Sequence, residues 1–214
     1  MDKLWARIPP EKIPSSTRVD GKFWSYFKKG DRILEVGCGL GRFLYSCSTR
    51  GLSPIGIDIN KEAIEKLSKD AYLFGAEVYC ADILKAKFKK KFKGALLQGL
   101  LCSLKKNDRA KCLKKVRSIM EKGGHLHIAE FEMSEKFEDR YKEDSKITGE
   151  YGTLSVKDKD TGKELCRSHN FYAQEIKDLI KQAGFKIISF KKTLFTSYHG
   201  DKKPGLMIIA QSPE

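Results

Sequence analysis

The segment Arg32-Ile33-Leu34-Glu35-Val36-Gly37-Cys38-Gly39-Leu40-Gly41-Arg42-Phe43, followed by Pro54-Ile55-Gly56-Ile57-Asp58-Ile59, constrains this chain more than any other. An apolar run of strand length enters a glycine turn, a helix opens beyond it, and a second apolar run ends on a carboxylate. That pattern is half of a nucleotide-binding α/β unit. The first two glycines allow a tight turn and a close approach of backbone to ligand, because no Cβ stands in the way. The third lets the helix pack against the strand. Asp58 follows Gly41 by seventeen residues, close to the roughly 20-residue offset of an acid that grips a ribose hydroxyl.

The spacing separates two kinds of ligand. A dinucleotide site runs G-x-G-x-x-G, which would need glycine where Arg42 stands. Here the glycines run G-x-G-x-G, with Glu35 two residues ahead of the first. This E-x-G-x-G-x-G form resembles the first motif of the class I methyltransferases that use S-adenosylmethionine.

Apolar runs at Ile33–Val36, Ser53–Ile57, Glu77–Cys80, Gly94–Gln98 and His125–Ala129 read as strands, with helices expected from about Gly41 to Thr49, after the cap Asn60, and from Asn107 to Glu121. The order predicts an α/β fold: a doubly wound, mostly parallel sheet with crossover helices on both faces. An N-terminal arm carries Pro9, Pro10 and Pro14, and Ser15-Ser16-Thr17 is expected to cap a helix from Arg18 to Lys28. The stretch Phe131 to Lys146 is highly charged with few apolar anchors. Glu150–Val156 and Glu164–Ser168 then read as a β-hairpin around Asp158–Gly162. A helix from Phe171 to Ala183 and strands at Phe185–Phe190 and Leu206–Ala210 close the sheet as an antiparallel pair. One domain over 1–214 is expected, with 1–28 as arm and helix and 131–170 as an insert after strand five.

This element order is similar to the class I methyltransferase fold over roughly residues 28 to 212, a seven-stranded sheet with a β-hairpin insert. The resemblance implies S-adenosylmethionine as cofactor. Gly37, Cys38, Gly39 and Gly41, with Glu35 behind them, would line its methionine and ribose portion. Asp58 would accept both ribose hydroxyls, Ile59 would pack on the adenine, and Asp82 would accept from the adenine amino group beside Ile83. Gln98 would meet the methionine end. Two departures from the family pattern stand out: Phe92-Lys93-Gly94-Ala95 replaces F-D-x-V, and Cys102-Ser103 stands where a histidine often follows strand four.

Methyl transfer from a sulfonium is an in-line displacement, so holding nucleophile and methyl about 3 Å apart in a dry site is the main catalytic task. A general base is needed only where the nucleophile must lose a proton. The weak catalytic candidates are His169, Tyr151 and Glu130. The ordinary reading of His169 is a surface or capping residue, and of Glu130 a cap on strand five. Trp24, His125 and His127 read as packing residues. No metal site is expected.

Composition bounds the remaining choices. No apolar run approaches the roughly 20 residues of a membrane span, and Met1–Arg7 lacks the apolar core of a signal peptide. The six cysteines form no C-x-x-C pair and read as buried free thiols, so a cytoplasmic protein is expected. The net charge of +14 leaves RNA open as a partner, through the runs Lys85–Lys93 and Lys105–Lys122. A charge run is more often a solvated face, and neither an N-P-P-Y nor a D-P-P-Y tetrapeptide follows strand four. A small-molecule acceptor is therefore the leading expectation, with an RNA methyltransferase next, then a non-catalytic cofactor- or partner-binding protein, and a nicotinamide oxidoreductase last. Oligomeric state is not legible in the sequence.

Overall fold

The apolar runs pair edge to edge into one sheet, seen in a computed structural model that describes residues 4–12 and 17–214. Its strands are β1 (Arg32–Val36), β2 (Ser53–Asp58), β3 (Glu77–Cys80), β4 (Phe92–Gln98), β5 (Met120–Phe131), β8 (Lys186–Thr196) and β9 (Lys202–Gln211), in the order β3-β2-β1-β4-β5-β9-β8. The first five run parallel, and β9 is antiparallel to both neighbours. A separate two-stranded hairpin, β6 (Thr153–Lys157) and β7 (Glu164–His169), makes the expected insert.

Helices cover both faces because the central strands are apolar on both. Phe23 of α1 (Gly21–Trp24) and Cys47 of α2 (Arg42–Ser48) pack with Ile33 and Leu96 on one face, and Ile64 and Leu67 of α3 (Lys61–Ala71) pack with Leu44. Leu113 and Val116 of α4 (Lys106–Ile119) join Leu34, Val36 and Leu97 on the other face, together with Ile176 and Ile180 of α6 (Ala173–Gln182). Five of the six free cysteines are buried and Cys80 is exposed. No helix among the described residues is long and apolar enough to cross a membrane.

Three local expectations need correction. The N-terminal helix is only Gly21–Trp24, because Asp20 caps it by accepting from Lys22 N at 3.0 Å; Ser15 and Ser16 lie outside the described residues. The helix before β5 stops at Ile119, and Gly123, at φ 65°, sits inside a strand that begins at Met120. The β4–β5 register slips between Phe92 and Gly94, so Gly123 serves an irregularity in the ladder. The charged stretch after β5 contains a helix, α5 (Glu138–Thr148), whose single buried residue is Tyr141.

A candidate cofactor and acceptor site at the carboxyl edge

Parallel strands bring their carboxyl ends to one edge, and there the glycine turn folds back over β2. Gly37 N and Cys38 N donate to Ile57 O at 2.8 and 3.1 Å. Gly37 and Gly41 have φ of 75° and 78°, and a Cβ at Gly41 would stand 2.6 Å from Leu67 Cδ1. Glycine is what lets this turn lie flat against α3.

Asp58 ends β2, half-buried, with Oδ2 accepting from Gly39 N at 2.9 Å and Oδ1 from Asn60 N at 2.8 Å. Burial raises its pKa, and these N–H groups oppose the rise. A carboxylate offers about four acceptor positions, so room remains for a diol. Asn60 caps α3 as expected, accepting from Ala63 N at 3.0 Å. Asp82 takes a turn role beyond β3, accepting from Leu84 N at 2.9 Å, while Ala81 and Ile83 line the cavity on either side of it.

Glu35 is 2% exposed and its Oε2 has no hydrogen-bond partner among the described residues. Burial pushes its pKa well above the usual carboxylate range, against the pull of Arg42. It lines a small hollow with Gly37, Gly39 and Gln98. Gln98 in turn rests on His127. Asp20 N donates to His127 Nε2 at 3.0 Å, so the neutral ring carries its proton on Nδ1. In that tautomer two N–H groups would face each other across the 2.8 Å between Nδ1 and Gln98 Nε2. The amide orientation that satisfies both side chains gives its oxygen to the ring and its NH₂ to the hollow. His127 stays neutral because burial lowers its pKa to about 3. His125 stacks on Tyr26 at 3.9 Å between centroids, a packing role as expected, while His127 packs edge-on to Phe23 at 5.3 Å and also orients Gln98.

From Gly37, Asp58, Ile59 and Ile83 the groove continues past Gln98, Gly99 and Leu100 into a cavity of about 130 Å³. Phe131, Leu154, Val156 and Cys166 wall the far part. The arm roofs it: Trp5 Nε1 donates to Arg167 O of β7 at 3.0 Å, and Asn60 Nδ2 donates to Ile8 O at 2.8 Å. Lys12 pairs with Asp158 at the hairpin tip. Sequence reasoning placed an irregular arm here but missed its covering role, since proline spacing carries no information about the distant β7.

None of the three catalytic candidates lines this cavity. Glu130 is buried, accepting from Leu101 N at 2.7 Å and Cys102 N at 3.3 Å, and burial outweighs those bonds to raise its pKa to about 8. Tyr151 is exposed and His169 is 3% exposed; both line a second hollow with Arg109, Glu150 and Glu175. The surface reading of His169 is therefore corrected: Thr153 Oγ1 stands 2.9 Å from its Nδ1 and Glu175 Oε1 3.2 Å from its Nε2.

The fold has counterparts among solved structures. A S-adenosylmethionine-dependent methyltransferase from Methanosarcina mazei is similar at TM-score 0.86 and 28% identity, over 92% of this chain and 99% of that one. The 1,6-didemethyltoxoflavin-N1-methyltransferase of Burkholderia thailandensis, solved with its acceptor and S-adenosylhomocysteine, has TM-score 0.65 and 14% identity over 87% and 72% of the two chains. The N-methyltransferase NodS of Bradyrhizobium japonicum, solved with S-adenosylhomocysteine, has TM-score 0.63 and 14% identity over 90% and 83%. No curated protein sequence matches. The model of a methyltransferase domain family matches residues 27–184, and the chain belongs to that family, the class I methyltransferases that use S-adenosylmethionine.

Proposed function

We propose that this methyltransferase acts on a small-molecule acceptor held in the roofed cavity beyond Gln98. The observation that carries the reading is the continuity of the groove at Gly37 and Asp58 with an apolar chamber under the arm and hairpin. Such a chamber encloses a compact acceptor and excludes water, which is the chief requirement of in-line transfer.

The residues fit the cofactor. Glu35 Oε2, a buried acceptor without a partner, matches an ammonium group, and the Gln98 NH₂ matches a carboxylate, so the hollow suits the two charges of an amino acid. Asp58 would accept from the ribose hydroxyls. Ile59, Ala81 and Ile83 would flank the adenine. The bound sulfonium supplies an electrophilic methyl and leaves as a neutral thioether. The chain's own part is to fix that end against Gly37 and Gln98, and to aim the acceptor from the chamber. None of His169, Tyr151 and Glu130 lines the cavity, so an acceptor already nucleophilic at neutral pH is the natural partner.

The part of the lysine runs that lies at the amino edge favours this reading over RNA: Lys89 to Lys93 enter β4 and Lys114 to Lys122 leave α4 into β5, whereas Lys105, Lys106 and Lys111 open α4 and line the second hollow. Gln98 lies at the other end of β4, roughly 20 Å away at about 3.3 Å per strand residue. Phe88 and Phe92, the aromatics among those lysines, stack edge-to-face at 5.1 Å and pack into the core instead of presenting faces to bases.

Tritiated S-adenosylmethionine incubated with the protein and a cell extract, with and without RNase, tests the reading. Label in small solutes regardless of RNase is expected. Label in large material that RNase makes small would overturn it.

A further inference from the structure

Within that reading, the far wall of the chamber holds a positive charge that the fold does not neutralise. Lys203 is the second residue of β9, next to the point where Glu132 N donates to Pro204 O at 2.9 Å and Phe131 pairs with Gly205. The residue is only 8% exposed and lines the cavity. Its Nζ lies 4.3 Å from the Phe137 ring centroid, and it forms no ion pair among the described residues. Arg140 lines the same wall, its Nε 3.4 Å from Asp144 Oδ2 and its Nη2 donating to Ser155 O at 3.0 Å. Ser197 Oγ, also at the cavity, is buried without a partner among the described residues.

A buried ammonium with an aromatic ring and no carboxylate beside it, on a residue that lines a cavity, is costly unless a ligand compensates it. Burial, and then the Arg140 guanidinium, hold the Lys203 ammonium below its usual pKa. Asp201 opposes this, but it is exposed beyond the wall, as is Lys159. Within the wall, Lys203 and Arg140 set against Asp144 leave one net positive charge, which matches a monoanion better than a phosphate dianion. The other walls are Phe131, Leu154, Val156 and Tyr198, suited to an apolar or aromatic body.

We infer that the acceptor is an aromatic or aliphatic monocarboxylate, its carboxylate held by Lys203, Arg140 and Ser197 and its body lying between Phe131 and Leu154. β9 lies two strand spacings from β4, about 10 Å, so this carboxylate anchors the acceptor at the end away from Gln98. The methylated atom is elsewhere on the molecule. The inference rests on the small-molecule reading and names its substrate class.

The test titrates indole-3-acetate and naphthalene-2-carboxylate, each against its neutral primary amide, into protein saturated with S-adenosylhomocysteine, by calorimetry. Each carboxylate is expected to bind at least about tenfold tighter than its amide, as a charge-assisted hydrogen bond implies. Lys203→Met should abolish the preference and Lys203→Arg should keep it, with affinity for S-adenosylhomocysteine unchanged in both as the control for folding. Equal binding of acid and amide, a preference that survives Lys203→Met, or no binding by either carboxylate would overturn the inference while leaving the small-molecule reading to the RNase experiment. Failure of the parent protein to bind S-adenosylhomocysteine would overturn the cofactor site and this inference with it.

Discussion

The Arg109 guanidinium meets the Glu150 carboxylate through two parallel hydrogen bonds of 2.7 and 2.8 Å, tying α4 to the root of the β6–β7 hairpin. Arg109 is 1% exposed at its side chain and sits 5.3 Å from the Phe171 ring centroid. Glu175 adds a third charge, 3.7 Å from Nη1. Burial raises the Glu150 pKa, but Arg109 and His169 bring it below the ordinary value. Arg109→Met leaves two carboxylates facing each other and should lower stability by about 3 kcal/mol or more. Replacing Glu150 with leucine in the same chain should recover part of the loss. Urea unfolding of the single and double variants measures both, and an additive double variant would sink the coupling.

Asp58→Asn keeps the side-chain shape and removes the charge that would face a diol. S-adenosylhomocysteine affinity should fall by about tenfold to a hundredfold, the worth of one or two charge-assisted hydrogen bonds. Calorimetry with the nucleoside adenosine alone should show the same loss, because the contact belongs to the ribose.

His127 acts through Gln98. His127→Leu frees the amide to turn and strands Asp20 N–H without its acceptor, so stability should drop by roughly 1–3 kcal/mol. The KM for S-adenosylmethionine should rise while kcat changes little. With a pKa near 3, the ring stays neutral in the parent protein. Its NMR shifts should therefore not move between about pH 5 and 8, where an unperturbed imidazole titrates.

Gly41→Ala should cost about 1–3 kcal/mol of stability, since the added Cβ meets Leu67 Cδ1 at 2.6 Å on a backbone at φ 78°. Thermal unfolding reads this directly. A variant as stable as the parent would mean that the turn and α3 are less tightly joined than the structure shows.

Glu130 gives a pH signature. Its folded pKa of about 8 exceeds the ordinary 4.5, so between those values the folded chain holds a proton that the unfolded chain has released. Stability from this group is full below about pH 4.5 and is lost as pH rises through 8. Glu130→Gln cannot ionise, so the parent should lose stability relative to it across that window. Parallel pH profiles that keep a constant gap would show that Glu130 is charged throughout.

The parts of this molecule that were legible are those in which neighbours along the chain do the work. Continuous apolar runs mark buried parallel strands, Asn60 caps the helix it precedes, and the glycine turn with Asp58 spans a single βαβ unit. α5 escaped notice because Tyr141 is its only buried residue, so no apolar stripe marks its period. His169 looked like a surface residue because Glu150, Thr153 and Glu175 reach it from other segments. Lys203 lies outside the strand expected at Leu206–Ala210, and its burial beside Phe137 depends on the folding of the insert across the sheet edge.

The unequal burial of the cysteines turns the fold into its own reporter. Cys80 alone is exposed, while burial raises the Cys47 thiol far above its ordinary pKa and pushes Cys112 to about 12. A thiol reagent should thus modify the native chain once and the unfolded chain six times. Label count by mass against time then follows each opening of the core, and a ligand that closes the groove should slow the last five additions without touching the first.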